Sequence, residues 1–289
     1  MSRKIQSHEE GEAITTRKGL IDYLDGLVEN LDREVDSFKK FPVNGRIYPA
    51  SSINYTRKRG HVQTASSPAY WGGLWSLTCC KHDMRREHYF DYFEEHDSGV
   101  LRPTQPLFIF TSAGKVGSEQ PEWAETKRRW LVSIALVTHA FRDMEDYGRF
   151  LLDRKESVWK PRISTDPDDD SAWARKYGDC HAVVKNGEIV GTDAPYPEHD
   201  HVSSSGITSC GCSETVNREY GHVYHKDIDP NRLKFVSTSE YWLSWNEPVF
   251  YWIVGNGPDR YGGGKGTRAY DDDRSIGTDT IIGSIQEAF

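Results

Sequence analysis

Long apolar runs are missing from this chain of 289 residues. A membrane-spanning helix needs roughly 20 consecutive apolar residues. The longest candidate, Trp130 to Ala140, is too short and holds Ser133, Thr138 and His139, so no membrane partner is expected. The opening residues, MSRKIQSHEE, place no apolar stretch behind their charges, and no secretory leader is expected. Cysteine is scarce. Five residues, an odd number with Cys79 and Cys80 adjacent, do not suit a disulfide framework, and the expected location is a reducing cytoplasm. Positive charge is also short: the formal net charge of −8 argues against a protein that coats nucleic acid without selectivity.

Several catalytic signatures are absent too. There is no Gly-x-Ser-x-Gly elbow, no His-Glu-x-x-His and no Gly-x-Gly-x-x-Gly after a strand. The run Gly262 to Thr267 looks like a phosphate loop at first sight. Its Lys265 is followed by Gly266 rather than Ser or Thr, and no helix-forming segment comes next, so that reading fails.

What the chain does have is aromatic residues and one basic stretch. Nine tryptophans and fifteen tyrosines include the clusters Tyr70-Trp71-Gly72-Gly73-Leu74-Trp75 and Tyr241-Trp242-Leu243-Ser244-Trp245. Aromatic faces can stack on bases for roughly 1 to 3 kcal/mol each. Most tryptophans in a chain of this size are nevertheless core residues. Between residues 55 and 86, Arg57, Lys58, Arg59, Lys81, Arg85 and Arg86 stand against Asp83 alone. Such a segment can form a local phosphate-binding face on an acidic protein, or a merely solvated surface.

Hydrophobic spacing predicts one amphipathic helix over residues 16 to 39. Leu20, Leu24, Leu27, Leu31, Val35 and Phe38 fall on one stripe, Thr15 or Thr16 caps the start, and Phe41-Pro42 stops it. The stripe can pack within the chain or against a second copy, which would make a homodimer. Strands are expected at Leu74 to Cys80, Leu107 to Thr111, Trp130 to Val137 and Leu233 to Ser237, and helices at Asp143 to Arg154 and Ser171 to Tyr177. Asn186-Gly187 between two short apolar pairs predicts a tight type I′ hairpin over 183–190. Many strands and few helices give an α+β class, with a mixed sheet or small barrel. The expected organisation is an N-terminal helical extension at 1–45, an α+β domain at 46–255 with a polar insertion at about 191–222, and a Gly-rich tail at 256–289.

Metal and nucleophile candidates are weaker. His199, His201, Cys210, Cys212, His222 and His225 lie within 27 residues and could hold a structural zinc. Cys210-Gly211-Cys212 has one spacer where zinc pairs usually have two, and the alternative is a polar loop with free thiols. Cys80 and His82 could share one strand face as a nucleophile and base, with Asp83 pointing away.

Leu77 to Arg85 resembles the Cys-Lys-x-x-Ile-Arg signature of nucleotide-modification-associated PUA-like domains: Cys80, Lys81 and Arg85 match, with Met84 at the aliphatic position. The order downstream is also similar. A strand and glycine turn at Phe108 to Gly114 comes first, followed by the strand from Trp130 and a helix with Asp146-Tyr147. Tyr177-Gly178-Asp179-Cys180 and Leu233 to Ser237 before an aromatic run complete it. Pro106-Leu107-Phe108 replaces the family's Gly-Asp-Trp, and the likeness covers roughly residues 70 to 255. The resemblance implies a PUA-like small β-barrel or mixed sheet with flanking helices, related to EVE, YTH and ASCH domains. It also implies recognition of a modified base in DNA or RNA, or of a modified nucleotide, linked to nucleotide modification or phage/host defence. Trp71 or Trp75 would stack on the base while Lys81 and Arg85 meet phosphate or the base edge. Thr111, Ser112, Asp179 and Trp242 complete the expected ligand-binding set. The alternative is a small hydrolase or transferase on a modified nucleotide or nucleoside, with Lys81, His82 or Asp179 as acid or base.

Overall fold

The computed structural model describes residues 3–4, 11, 13–50, 53–56, 60–63, 68–70, 72–78, 85, 87–113, 128–154, 162, 179–180, 182–192, 200–203, 206–209, 228–253 and 276–288. The class is α+β, built mainly from sheets with few helices. The chain divides into two compact units: Met1–Thr64, Pro103–Thr138 and Glu240–Phe289 make unit 1, and Ala65–Arg102 and His139–Ser239 make unit 2. This differs from one domain with appended ends. Both termini belong to unit 1, because their apolar residues enter its core.

Unit 1 contains helix α1 (Arg17–Glu34). Thr16 caps it, its hydroxyl accepting from the Gly19 N–H at 3.1 Å. Leu20, Leu24, Leu27, Val28 and Leu31 form the buried face expected of the stripe. The helix stops at Val35, in an extended conformation, earlier than the spacing suggests; Val35 and Phe38 still reach the core through a following turn. Burying one such side chain contributes about 1.5 to 3 kcal/mol. The stripe is therefore covered within the chain, which removes the surface that a homodimer through this helix would have used.

The helix packs on a seven-stranded mixed sheet of β2 (Asn44–Ala50), β8 (Leu107–Ala113), β9 (Arg128–Leu136), β16 (Trp242–Ser244), β17 (Phe250–Ile253), β18 (Ile276–Gly277) and β19 (Gln286–Glu287). β2 and β8 run parallel; β8–β9, β9–β16, β9–β17, β17–β19 and β2–β18 are antiparallel. Pro49 is tolerated in β2 because β18 pairs only with Asn44 and Gly45, so no ladder bond is lost on that side. Helix α3 (Thr278–Ser284) adds Ile281 and Ile282 to the core, with Ile285 just beyond, so this part of the expected tail is structural. A ribbon of β1 (Arg3–Lys4), β4 (Gly60–Gln63) and β3 (Ile53–Thr56) completes unit 1. No sheet closes into a barrel among the described residues.

Unit 2 has a five-stranded sheet in the order β5 (Trp75–Leu77), β15 (Lys234–Ser237), β10 (His139–Phe141), β7 (Val100–Pro103), β6 (Phe93–Asp97). Helix α2 (Met144–Leu152) lies where a helix is expected and buries Met144, Tyr147, Phe150 and Leu151 with Phe141 and Val236. On the opposite face Phe235 stacks on Phe93 at 5.8 Å and meets Tyr89 edge-on at 6.0 Å. The expected hairpin is present as β11 (Val183–Lys185) and β12 (Glu188–Gly191). Asn186 (φ 54°) and Gly187 (φ 83°) are both left-handed, as a type I′ turn requires. A second hairpin, β13 (Asp200–Ser203) with β14 (Gly206–Ser209), lies inside the polar insertion. Residues 171–177 lie outside the described residues. No described helix is long and apolar enough to cross a membrane.

Two histidines couple these cores to pH. Burial lowers the His61 pKa to about 4, partly offset by its bond to the Trp245 carbonyl. Burial, followed by the charges of Arg102, Arg154 and His96, lowers His139 to about 3. The unfolded chain therefore binds protons below about pH 6.5 that the native chain does not. This stability is complete above that pH and is lost as pH falls toward the folded values. At pH 5 the loss should be about 2 kcal/mol per histidine relative to pH 7. Urea denaturation at the two pH values measures it, and equal midpoints would contradict neutral buried imidazoles.

Candidate functional site

The two faces of the seven-stranded sheet differ in chemistry. Ile47, Phe110, Ile134 and Leu243 lie side by side across β2, β8, β9 and β16, and all four belong to the apolar core under α1. Side chains alternate along a strand, so the rows on either side point to the other face. One of these rows is Tyr48–Thr111–Ser133–Ser244 and the other is Arg46–Ile109–Ala135–Trp242. All eight are buried. A buried row of a tyrosine and three hydroxyl-bearing small residues is unusual in a core, where polar groups must find partners.

The β3–β4 ribbon lies against this face, with β3 next to β8. Gly60 allows the approach: its left-handed backbone (φ 67°) sits against the Asn246 side chain, where a Cβ would overlap. His61 donates its backbone N–H to the Asn246 carbonyl at 2.9 Å, and its Nδ1 lies 2.8 Å from the Trp245 carbonyl. Its ring meets Tyr55 edge-on at 5.5 Å, and Tyr55 lies 6.4 Å from Trp130. Trp130 meets Tyr251 at 5.2 Å, and the Arg128 guanidinium lies over both rings, 4.5 Å from Tyr251 and 5.8 Å from Trp130. Tyr55, Tyr251 and Arg128 are partly exposed. The arrangement offers a cation over partly exposed aromatic rings, while the polar row of the sheet stays buried.

The expected site residues are divided between the units. Thr111 and Trp242 lie on the polar face of unit 1, whereas Ser112, paired with the core residue Leu131 beyond a bulge, falls on the apolar side. Trp75, Arg85 and Asp179 belong to unit 2 and are fully or almost fully buried. Trp75, expected to stack on a base, presents no open face. Arg85, expected to meet phosphate, instead donates from Nη1 to the Leu233 carbonyl at 3.1 Å, and its own carbonyl accepts from the Leu233 N–H at 2.8 Å. It also lies in a 3-10 turn. Trp71, Lys81, His82, Cys80, His199, Cys210 and Cys212 lie outside the described residues, and His201 falls on β13.

Asp179 forms a closed network. It accepts from Tyr147 Oη at 3.0 and 3.2 Å, from Thr78 Oγ1 at 3.2 Å and from Ser76 Oγ, and lies 3.5 Å from Nη1 of the fully buried Arg162. Arg162 also donates to Ser76 Oγ at 2.6 Å and to the Leu74 carbonyl. Its carbonyl accepts from the N–H groups of Asp179 and Cys180 at 3.1 and 2.9 Å. Burial and the Asp179 charge raise the Tyr147 pKa well above its ordinary value, so the phenol remains a donor; burial also pushes the Cys180 thiol up, away from thiolate chemistry. This is the bonding of a structural ion pair. The cavity of about 260 Å³ at the start of α2 is lined by Asp143, Glu145 and Asp146. Arg149 in its wall is already paired with Glu145 at 3.1 Å and Asp146 at 2.6 Å, so the cavity disfavours phosphate.

Sequence reasoning missed His61, Tyr55, Trp130, Tyr251 and Arg128 as a group. Their proximity comes from strand register, which leaves no local signal. No protein-family model matches this chain, and comparison with curated proteins and with solved structures finds no match.

Proposed function

We propose that the protein is a binding module for a modified base or nucleotide in nucleic acid, acting through the aromatic face of unit 1. The observation that carries this reading is the Arg128 guanidinium over Trp130 and Tyr251, with Tyr55 beside them. The partly exposed rings of Tyr55 and Tyr251 can stack on a base, and the arginine lying over Tyr251 can pair bidentately with a backbone phosphate. The resemblance of residues 70 to 255 to PUA-like domains associated with nucleotide modification is in keeping with this ligand class. Of the acid or base candidates for a hydrolase or transferase, Asp179 is enclosed and bonded to Tyr147, while Lys81 and His82 lie outside the described residues.

Fluorescence titration with modified and unmodified DNA and RNA oligonucleotides at low salt tests the reading. Binding is expected to weaken as salt rises. Arg128→Ala and Tyr251→Ala should each lower affinity by about 1 to 3 kcal/mol. A protein that binds no oligonucleotide at low salt is not a nucleic-acid reader.

A further inference from the structure

We infer that Gln286 is a specificity-determining residue of the proposed site: its carboxamide reads the Watson–Crick edge of an unpaired base stacked at Tyr251, while Arg128 holds the phosphate. The inference rests on the binding function proposed above and adds which edge of the base is read.

Strand register brings the parts together. β9, β17 and β19 are consecutive in the sheet of unit 1, and Trp130, Tyr251 and Gln286 are directly opposed across them. Directly opposed side chains project from the same face, with Cβ atoms about 4.5 to 5.5 Å apart. The next residue of β19 turns the other way. Glu287 accepts the backbone N–H of Arg17 at 2.6 Å, at the start of α1, which packs on the apolar face. Gln286 therefore shares the face of Tyr251 and Trp130, and Tyr251 and Gln286 are both partly exposed.

The chemistry is ordered along this row. Arg128, on β9, places its guanidinium 4.5 Å from the centre of the Tyr251 ring, and Gln286 stands on the opposite flank, on the outermost strand. The two flanking strands are two spacings apart, about 10 Å. A nucleotide has the same order, with its phosphate at one end, the Watson–Crick edge at the other and a flat ring between. A guanidinium only donates and suits the phosphate, whereas a carboxamide sets a donor beside an acceptor. That pair complements a base edge on which an N–H adjoins an acceptor.

The carboxamide is not committed to the fold. Its Nε2 reaches the Ser284 carbonyl only at 3.5 Å, the outer limit of a hydrogen bond, and its Oε1 accepts from no described residue. In a duplex the Watson–Crick edge is occupied, so the site takes a single strand. A substituent that removes the N–H on that edge blocks the pairing, while one at the pyrimidine 5-position leaves it intact.

Fluorescence titration at low salt with two single-stranded DNA oligomers tests the inference: oligo(dA), and the same oligomer built from N6,N6-dimethyladenine. The parent protein should bind the first at least about tenfold more tightly, because the second has no amino N–H to offer. Gln286→Leu should bring this ratio close to one. Its melting temperature and salt dependence should match the parent's, since Arg128 and Tyr251 are untouched. If the parent binds both oligomers equally or binds neither, or if Gln286→Leu keeps the ratio, the inference fails. Oligonucleotide binding that persists in that case leaves the broader function standing, and its absence removes both.

Discussion

Replacing Asp179 by alanine should destabilise the protein by about 3 to 5 kcal/mol, because it leaves the Arg162 guanidinium buried without its counter-charge. Ser76, Thr78 and Tyr147 would lose their shared acceptor in the same step. Asp179→Asn should cost less, since the amide oxygen can still accept from two of these groups. Chemical denaturation of the three proteins measures the order. The result also separates two roles for this residue. A catalytic carboxylate could be removed with little change in stability and complete loss of turnover. A variant that melts like the parent would mean that the network does not hold the fold.

Leu24→Ala and Leu31→Ala in α1 should each cost about 2 to 5 kcal/mol, the range for emptying a well-packed leucine site. Both side chains are buried in the core that also contains Phe108, Phe110 and Trp252. Denaturation midpoints should fall while the mass in solution stays that of the parent. Unchanged stability with a reduced mass would instead restore the helix as a seam between two copies. Substitution at Ile21, exposed on the same helix, should do neither.

Residues whose structure depends on near neighbours were legible before any coordinates. The leucine spacing of α1 placed its buried face, and Asn186-Gly187 placed a hairpin whose turn has the required left-handed pair. α2, β8, β9 and β15 also lie within a few residues of their expected positions. The segment Asn44–Ala50 gave no comparable signal: Gly45 and Pro49 weaken a strand pattern, and its pairing with β8 supplies the strand.

The candidate site was less legible, for a definite reason. Thr111 and Trp242 could be named from sequence, but their company could not. The row Tyr48–Thr111–Ser133–Ser244 draws on four strands, and a one-residue shift in any pairing would turn its member into the apolar core. Arg85 illustrates the opposite error. A basic residue in a basic stretch reads as surface, yet its guanidinium is enclosed against the Leu233 carbonyl.

The amino-acid sequence by itself determined the α+β class, the amphipathic helix and the Asn-Gly hairpin, because hydrophobic period and turn chemistry act over a few residues. Tertiary structure alone decided the division into two units, the burial of Arg85 and Asp179, and the meeting of Tyr55 with His61 and Trp130. Those depend on which distant strands pair and in what register, and that is settled by the free energy of the whole packed chain.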